Sequence, residues 1–479
     1  MEYKDFKDHV VSINPADNED LVGAFKISTS QEVDDAVQAA KAAYPAWSAT
    51  PAPHRGEILF NVARILEDRK EELGWLVTRE MGKVISEGLS DVQEAIDMAY
   101  YMAGEGRRLQ GETIPSELAD KDAKTVRESI GTFALITPWN FPIAIPSWKL
   151  FACLIAGNTA VLKPSSDTPQ CAYEFVRLLY DAGVPEDVVK IVFGPGRGVG
   201  TRLTTNYVDG ISFTGSCDVG FGIERVAASF RMPVSTEMGG KNAVIIMDDA
   251  DLDLAAQGCI WGGFGTAGQR CTAASRIVVH EDVFEDFARK FTSLVEKLTV
   301  GDPFKCDVGP VINKAAMDKI EEYITDGVTR YAYVQNKNSD YDLSKGSFVL
   351  PTVFLDVHPQ DKLAQEEIFG PVVCLIKAKN LDNAIDIVNG TPYGLSSAIF
   401  TNNIRNSALC ERRLKTGIVY INAATIGAEI QFPFGGIKYT GMGPREAGGR
   451  GGALDFYTNW KVIYRDYSGK IQKAQVKDE

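Results

Sequence analysis

Phe133-Ala-Leu-Ile136, Thr159-Ala-Val-Leu-Lys163, Val188-Val-Lys-Ile-Val-Phe193, Gly210-Ile-Ser-Phe213 and Val234-Ser-Thr-Glu237 are five short β-prone runs, separated by segments with helical patterning. That alternation predicts parallel strands joined by crossover helices on both faces of a sheet. The helix punctuation agrees, because the segment carrying Leu178 meets Gly183 and then Pro185, a C-terminal stop signal. A second α/β series follows Gly239, with candidate strands at Asn242–Ile246, Arg276–Val279, Val372–Ile376, Ser397–Phe400 and Gly417–Ile421. The fold class read from these patterns is α/β.

Outside this block the character changes. From Ser30 to Leu109 the chain is helical, with Val33, Ala36, Val37, Ala40 and Ala43 on one face, a break at Pro51 and Pro53, and a second run from Arg55 to Met81. Residues 112–130 turn polar, and Thr125 to Ile130 nearly alternate, as an exposed or pairing strand does. Trp460 to Arg465 has a similar composition, so these two stretches predict a peripheral arm.

A chain of 479 residues can bury two or three domain cores. With 45% apolar and 24% charged residues it has a globular composition, which excludes general disorder. The net charge of -14, with Lys and Arg scattered, excludes nucleic acid as a general partner. Cys153, Cys171, Cys217, Cys259, Cys271, Cys306, Cys374 and Cys410 form no C-x-x-C pair, which argues against zinc and disulfide scaffolds. His9, His54, His280 and His358 are well apart, so no metal is expected, and His280 reads as a surface residue. The charged start, Met1 to Asp8, has no apolar core of a signal peptide, and no apolar run reaches membrane-spanning length. A cytoplasmic, reducing setting with no membrane partner is the expectation.

Several strand ends carry chemistry, each open to a plainer reading. Gly194-Pro195-Gly196-Arg197-Gly198-Val199-Gly200 follows a strand as a phosphate loop does. It departs from G-x-G-x-x-G, however, and an ordinary Gly-rich turn fits equally. Phe213-Thr214-Gly215-Ser216 can bind an anion at a helix start, or Ser216 can simply cap that helix. Lys163-Pro164-Ser165-Ser166 places a lysine either against a ribose or phosphate or in solvent. Thr137-Pro138-Trp139-Asn140-Phe141-Pro142 is a rigid turn that can aim the Asn140 amide at an oxyanion, although Asn is common in turns. Glu237-Met238-Gly239-Gly240-Lys241 sets a carboxylate at a strand end, where it can act as a base or pair with a cation. In Gly268-Gln269-Arg270-Cys271 the neighbouring guanidinium predicts a thiolate, against the alternative of a buried structural cysteine.

Taken in order, PWNFP at 138–142, KPS at 163–165, FTGS at 213–216, EMGGK at 237–241, GQRC at 268–271, EEIFGP at 366–371 and PFGGIK at 433–438 resemble the aldehyde dehydrogenase superfamily, over about residues 11–467. The resemblance implies a three-part fold. A Rossmann-type cofactor domain would span 1–109 and 131–239, an α/β catalytic domain 240–455, and a β oligomerisation arm 110–130 with 456–479. A homo-oligomer, dimer or tetramer, would follow. Cys271 would attack the aldehyde carbon, Asn140 and the Cys271 N–H would hold the oxyanion, and hydride loss would leave a thioester. Glu237 would activate the hydrolytic water, with Lys149 and Glu446 linked to its proton exchange.

By the same resemblance Thr137, Trp139, Lys163, Ser165, Ser166, Gly196, Phe213, Gly215, Ser216 and Gly239 contact NAD or NADP, and Glu367 and Phe369 hold the nicotinamide end. Met238, where Leu is commoner, conserves volume. Arg270 beside the nucleophile resembles semialdehyde-oxidising branches, including those for aminoadipate and methylmalonate semialdehydes. The stretch from Gly427-Ala428-Glu429 through Pro444-Arg445-Glu446-Ala447-Gly448 is similar to 2-oxoglutarate and aminoadipate semialdehyde dehydrogenases, so a 2-oxoglutarate or succinate semialdehyde is the expected substrate. A carboxylate anchor is therefore expected at Arg270, assisted by Arg107 or Arg108, with Trp148 beside the substrate. Ser166 replaces an acidic residue that favours NAD, so NADP should at least compete, provided that Asp167 caps a helix and does not enter the ribose pocket. The alternatives are a catalytically silent binding protein and a CoA-acylating relative, and the presence of Glu237 favours hydrolysis over the latter.

Overall fold

The computed structural model describes residues 6–475. Residues 1–5 of the charged N-terminus and residues 476–479 of the expected arm lie outside the described residues. The chain opens with an antiparallel hairpin, β1 (His9–Ile13) and β2 (Leu21–Lys26), which the sequence patterning did not reveal. Four helices follow: α1 (Ser30–Ala49), α2 (Ala52–Asp68), α3 (Lys70–Met81) and α4 (Ile85–Glu105). Thr29 and Glu32 form a reciprocal capping box at the start of α1, and α1 ends just before Pro51. The run expected from Arg55 to Met81 is two helices, parted at Arg69.

Strands β3 (Thr113–Pro115) and β4 (Lys121–Ser129) precede the first large sheet, built from β5 (Thr132–Ile136), β6 (Thr159–Lys163), β7 (Val189–Ile191), β8 (Gly210–Thr214) and β9 (Val234–Glu237). Its helices are α5 (Ala144–Ile155), α6 (Pro169–Asp181), the short α7 (Thr201–Thr204) and α8 (Cys217–Phe230). The second sheet takes β10 (Asn242–Ile246), β11 (Ala274–His280), β12 (Tyr333–Gln335), β13 (Thr352–Phe354), β14 (Val372–Ala378), β15 (Ser396–Phe400) and β16 (Ile418–Ile421), with α9 (Leu252–Phe264) crossing between β10 and β11. Finally β17 (Gly441–Met442) pairs antiparallel with β9, and β18 (Thr458–Asp466) pairs antiparallel with β4 along nine residue pairs.

The first sheet has the order β17-β9-β8-β5-β6-β7 and the second β12-β13-β14-β11-β10-β15-β16, parallel except at β17 and β12. Parallel strands covered on both faces must be apolar throughout, and β5, β6 and β10 are buried at every residue. Because β5 lies between β6 and β8, the chain leaves it in opposite directions, and a crevice opens beyond the carboxyl ends of these strands. Helix α5 is buried at all twelve of its positions, Lys149 included.

Buried acids on the N-terminal helices support distant elements. Glu80 of α3 accepts the backbone N–H groups of Gln170 and Cys171 at 2.8 and 2.7 Å, which caps α6 from another part of the chain. On α4, Glu87 and Asp91 are four residues apart and share a face. Asp91 accepts the Ala144 N–H at the start of α5, and Glu87 accepts the Thr266 N–H after α9. One helix thereby positions two loops of the candidate site.

Candidate active site

A groove of about 710 Å³ runs along the carboxyl ends of β5, β6 and β8. Nine of the residues assigned to the cofactor line it: Thr137, Trp139, Lys163, Ser165, Ser166, Gly196, Phe213, Gly215 and Ser216. A cavity of about 260 Å³ continues from it past Trp139, Gly215 and Ser216 to Asn140 and Cys271, and adds Gly239, Glu367 and Phe369. The residues expected to hold the dinucleotide thus share one continuous space with Asn140 and Cys271, whereas Glu237, Lys149 and Glu446 do not line it.

The groove's lining fits such a ligand. Thr137 Oγ1 is buried without a hydrogen-bond partner. Ser216 precedes α8 but makes no side-chain cap, so its hydroxyl remains available beside the N-terminal amides of that helix. A Cβ at Gly196 or Gly198 would meet nothing within 4 Å, and φ at Gly198 is +113°, so this turn keeps bare backbone toward the groove. Lys163 is buried, not solvated; its ammonium donates to the Pro164 carbonyl at 2.9 Å, and desolvation brings its pKa down to about 8. Asp167 does not cap α6, whose N-cap is Thr168 without a side-chain bond. Its carboxylate instead accepts from Ser165 Oγ at 3.1 Å and Asn313 Nδ2 at 2.9 Å. Ser166 Oγ donates to the Gly194 carbonyl at 3.2 Å.

At the inner end, Glu367 Oε1 accepts the Gly240 N–H at 2.9 Å, and burial raises its pKa. A Cβ at Gly239 would stand 2.2 Å from that carboxylate, so only glycine fits. Phe369 packs edge-on against Trp139 at 5.5 Å, with its own φ at +61°, a conformation that costs energy and recurs at functional sites.

Cys271 is half-buried at the end of a turn in which Thr266, Ala267 and Gly268 all have positive φ. Three consecutive left-handed residues are held by named contacts: Glu87 takes the Thr266 N–H, and the buried Gln269 side chain donates to the Thr266 carbonyl and accepts from Ile312 N. From the other side Asn242 Nδ2 donates to the carbonyls of Cys271 at 2.7 Å and Ala273 at 3.0 Å, while its Oδ1 accepts the Ser396 N–H. Asn140 Nδ2 donates to the Gln269 carbonyl at 3.0 Å, which fixes the amide beside the thiol.

Two expectations are corrected here. Arg270 does not make Cys271 a thiolate: burial, followed by the charges of Glu237, Glu367 and Glu446, pushes the thiol up to about 12. Nor does its guanidinium stand ready for a substrate carboxylate. It turns away to Glu87 at 2.9 Å and Thr266 Oγ1 at 2.9 Å, between the rings of Phe141 and Trp261. Arg108 and Arg107 are exposed and pair with Glu105 and Glu57; neither lines the cavity at Cys271.

Glu237 ends β9 and accepts the Gly436 N–H at 3.1 Å. Burial, reinforced by the nearby charge of Glu446, raises its pKa well above the ordinary carboxylate value. Glu446 is paired with Lys149 and accepts from Thr214 Oγ1 at 2.9 Å, and Lys149 donates also to Ser212 Oγ at 2.8 Å. Trp148 packs edge-on against Phe434 at 5.0 Å. Sequence reasoning missed Glu87, Asp91, Lys83 and Asn242. Asn242 alone left a trace, as an amide where a buried strand favours apolar residues. Lys83 and Asp91 form a fully buried ion pair at 2.9 Å, with the ammonium 3.8 Å from the centre of the Phe141 ring.

An α/β scaffold with a groove at its strand switch point, opening on one thiol flanked by an amide and a buried carboxylate, defines an oxidoreductase class that works through a cysteine. The chain belongs to the aldehyde dehydrogenase family, whose model matches residues 3–463. It is 40% identical to the alpha-ketoglutaric semialdehyde dehydrogenase of Bacillus subtilis (strain 168), across 94% of this chain and 93% of that protein. It is also 40% identical to the alpha-ketoglutarate semialdehyde dehydrogenase of Haloferax volcanii, across 95% of each. Among solved structures it resembles betaine aldehyde dehydrogenase from Staphylococcus aureus in complex with NAD+, with a TM-score of 0.91 and 33% identity over 96% of this chain and 92% of that one. The chain is thus an NAD(P)-dependent dehydrogenase that oxidises aldehydes. Among the described residues no helix is long and apolar enough to cross a membrane.

Proposed function

We propose that the chain oxidises a carboxylated semialdehyde of the 2-oxoglutarate semialdehyde type, with Cys271 as nucleophile and Glu237 as base. The observation that carries the chemistry is the half-buried Cys271 thiol beside Asn140 in the cavity that continues the groove, close enough to the buried Glu237 for that carboxylate's charge to act on it. Glu237, its pKa raised by burial, takes the thiol proton as sulfur attacks the carbonyl carbon. The Asn140 amide, already aligned by the Gln269 carbonyl, and the Cys271 N–H receive the oxyanion. NAD(P), when bound, supplies the hydride acceptor; Glu367, Phe369 and Trp139 would hold its nicotinamide end, and Lys163, Ser216 and Thr137 its other parts. Once it has released the thiol proton to solvent, Glu237 deprotonates the water that hydrolyses the thioester, and Cys271 leaves as a thiolate that is reprotonated. The substrate class is supported by the two semialdehyde relatives, not by Arg270.

The first sheet with its helices serves as the cofactor domain, the second as the catalytic domain, and the sheet of β3, β4 and β18 as the arm of a homo-oligomer. The exposed side chains of Ile114, Trp460, Val462 and Tyr464 support that last role. All eight cysteines are free, in keeping with a cytoplasmic setting. Ser166 and the buried Lys163 leave the ribose end without a free carboxylate, which favours acceptance of NADP.

Glu237→Gln tests the base. Mixed with substrate and cofactor it should acylate slowly, for want of the thiol base, then stall after one equivalent of reduced cofactor with a covalent acyl adduct visible by mass spectrometry. Acylation in the unmodified enzyme should speed up as pH rises through the raised Glu237 pKa, since only the ionised carboxylate accepts a proton. Normal turnover in Glu237→Gln would overturn the assignment.

A further inference from the structure

Parallel pairing of β10 with β11 sets Ile246 opposite Val279, so the chain leaves both strands side by side. His280 closes β11, Asp248 lies just past β10, and Asp282 sits in the turn that follows. One ligand atom from each of the three lies within 4.8 Å of the other two. The backbone beneath them is held: Asp249 accepts from Thr401 Oγ1 at 2.7 Å and the Asn402 N–H at 3.1 Å, which fixes the turn carrying Asp248. Neighbouring acids are spent elsewhere, Asp253 on Lys290, Asp286 on Arg289, Glu285 on Lys377 and Asp251 on the start of α9. Among the described residues Asp248 and Asp282 pair with no Lys or Arg, and the ionic neighbour of Asp282 is His280. Carboxylates this close repel one another unless a cation stands between them. The His280 imidazole, with only 12% of its side chain exposed, is what separates this cluster from a merely acidic surface. Its Nδ1, which accepts the Asp282 N–H at a long 3.3 Å, lies 3.7 Å from Asp282 Oδ2. That is too far for a direct hydrogen bond, but near the spacing of about 3.4 Å between two ligands each about 2.1 Å from one tetrahedral ion.

We propose that Asp248, His280 and Asp282 form a divalent metal site that takes Zn2+ or a first-row cation of similar size, with a water in the fourth position. An imidazole nitrogen among the ligands selects Zn2+, Co2+ or Ni2+ over Ca2+ and Mg2+, whose sites are built from oxygen. The ion replaces the repulsion of two carboxylates by attraction to both and ties the exits of β10 and β11 together. It is a clip on the fold and takes no part in the reaction. Cys271 precedes β11, and the seven residues of that strand, at about 3.3 Å each, set the site roughly 20 Å from the thiol at the opposite end of the sheet. The four scattered histidines gave no reason to expect a metal, but this site needs one histidine and two acids, which the strand register brings together. It does not depend on the roles given to Cys271 and Glu237.

Cobalt(II), titrated into the reduced full-length enzyme, is the probe. One equivalent per chain should bind, with visible d–d bands and without the near-ultraviolet charge transfer that a cysteine thiolate would give. His280→Gln and Asp248→Asn should each weaken binding at least about tenfold. Glu281→Gln alters an adjacent acid outside the triad and should bind as the unmodified enzyme does. Asp248 is exposed, so its variant keeps the test sound should His280→Gln fail to fold. Cobalt should also raise the melting temperature of the unmodified enzyme, and raise that of Asp248→Asn less. Thiolate charge transfer, the absence of a stoichiometric site, or an equal loss of affinity in Glu281→Gln and Asp248→Asn would each overturn the proposal, the last by reducing the site to diffuse attraction toward an acidic surface.

Discussion

The groove and the thiol compartment adjoin, yet they treat polar groups in opposite ways. Along the groove, Thr137 Oγ1 lacks a partner, Ser216 declines to cap its helix, and Gly196 and Gly198 face open space. Around the thiol, the buried cations are spent on acids of the protein itself, Lys83 on Asp91, Arg270 on Glu87 and Lys149 on Glu446, while Glu237 and Glu367 accept only backbone N–H groups. Unmet backbone and hydroxyl groups are what a polyanionic ligand needs, whereas buried pairs hold geometry and have little left for a ligand. Hence a residue's nearness to Cys271 is weak evidence that it binds substrate, and Arg270 shows why.

The sharpest way to break the comparison is at Asn140, the one polar side chain of the thiol compartment offered to the reacting oxygen. Asn140→Ala should lower turnover roughly 100- to 1,000-fold in steady-state assays, with cofactor affinity unchanged. A change of a few fold would move the oxyanion role elsewhere. Arg270→Ala comes next. It strands Glu87 as a buried charge, so thermal or denaturant unfolding should show a loss of about 3 kcal/mol. Activity should fall equally on a carboxylated semialdehyde and on an uncharged aldehyde of equal length. A selective loss on the charged substrate would return Arg270 to the binding site and erase the contrast between the two regions. The smallest effect belongs to the groove: Ser166→Glu sets a carboxylate near the ribose end and should shift kcat/KM from NADP toward NAD by about tenfold. Strict NAD dependence before the substitution would mean that groove geometry outweighs the charge argument.

Much of the fold was legible because the strands of a doubly covered parallel sheet are predominantly apolar, and β5, β6, β10 and β14 read that way. The hairpin of β1 and β2, and the short edge strands β12 and β13, were not. Such strands are half-exposed or only three residues long, and pairing defines them more than composition does. In the site, the twelve residues assigned to the cofactor by resemblance all line the groove or the cavity that continues it. The supporting contacts had no comparable signature, since an acid on an amphipathic helix reads as solvent-facing until its partner is known.

By itself, then, the sequence determined the α/β class, the alternation of central strands with helices, and which thiol, amide and carboxylate were candidates for chemistry, because these follow from local periodicity and motif order. Only the tertiary structure decided where each charge is spent. Glu87 meets Arg270 across 183 residues, Glu80 caps α6 across 91, and Asn313 draws Asp167 from its expected helix cap across 146. Electrostatic and hydrogen-bond energies depend on distance in space and on burial, neither of which is encoded in neighbouring positions of the chain. The Cys271 thiol, read locally as activated by its adjacent guanidinium, is neutral for that reason: the groups that set its pKa are the enclosing protein and three carboxylates brought from elsewhere in the fold.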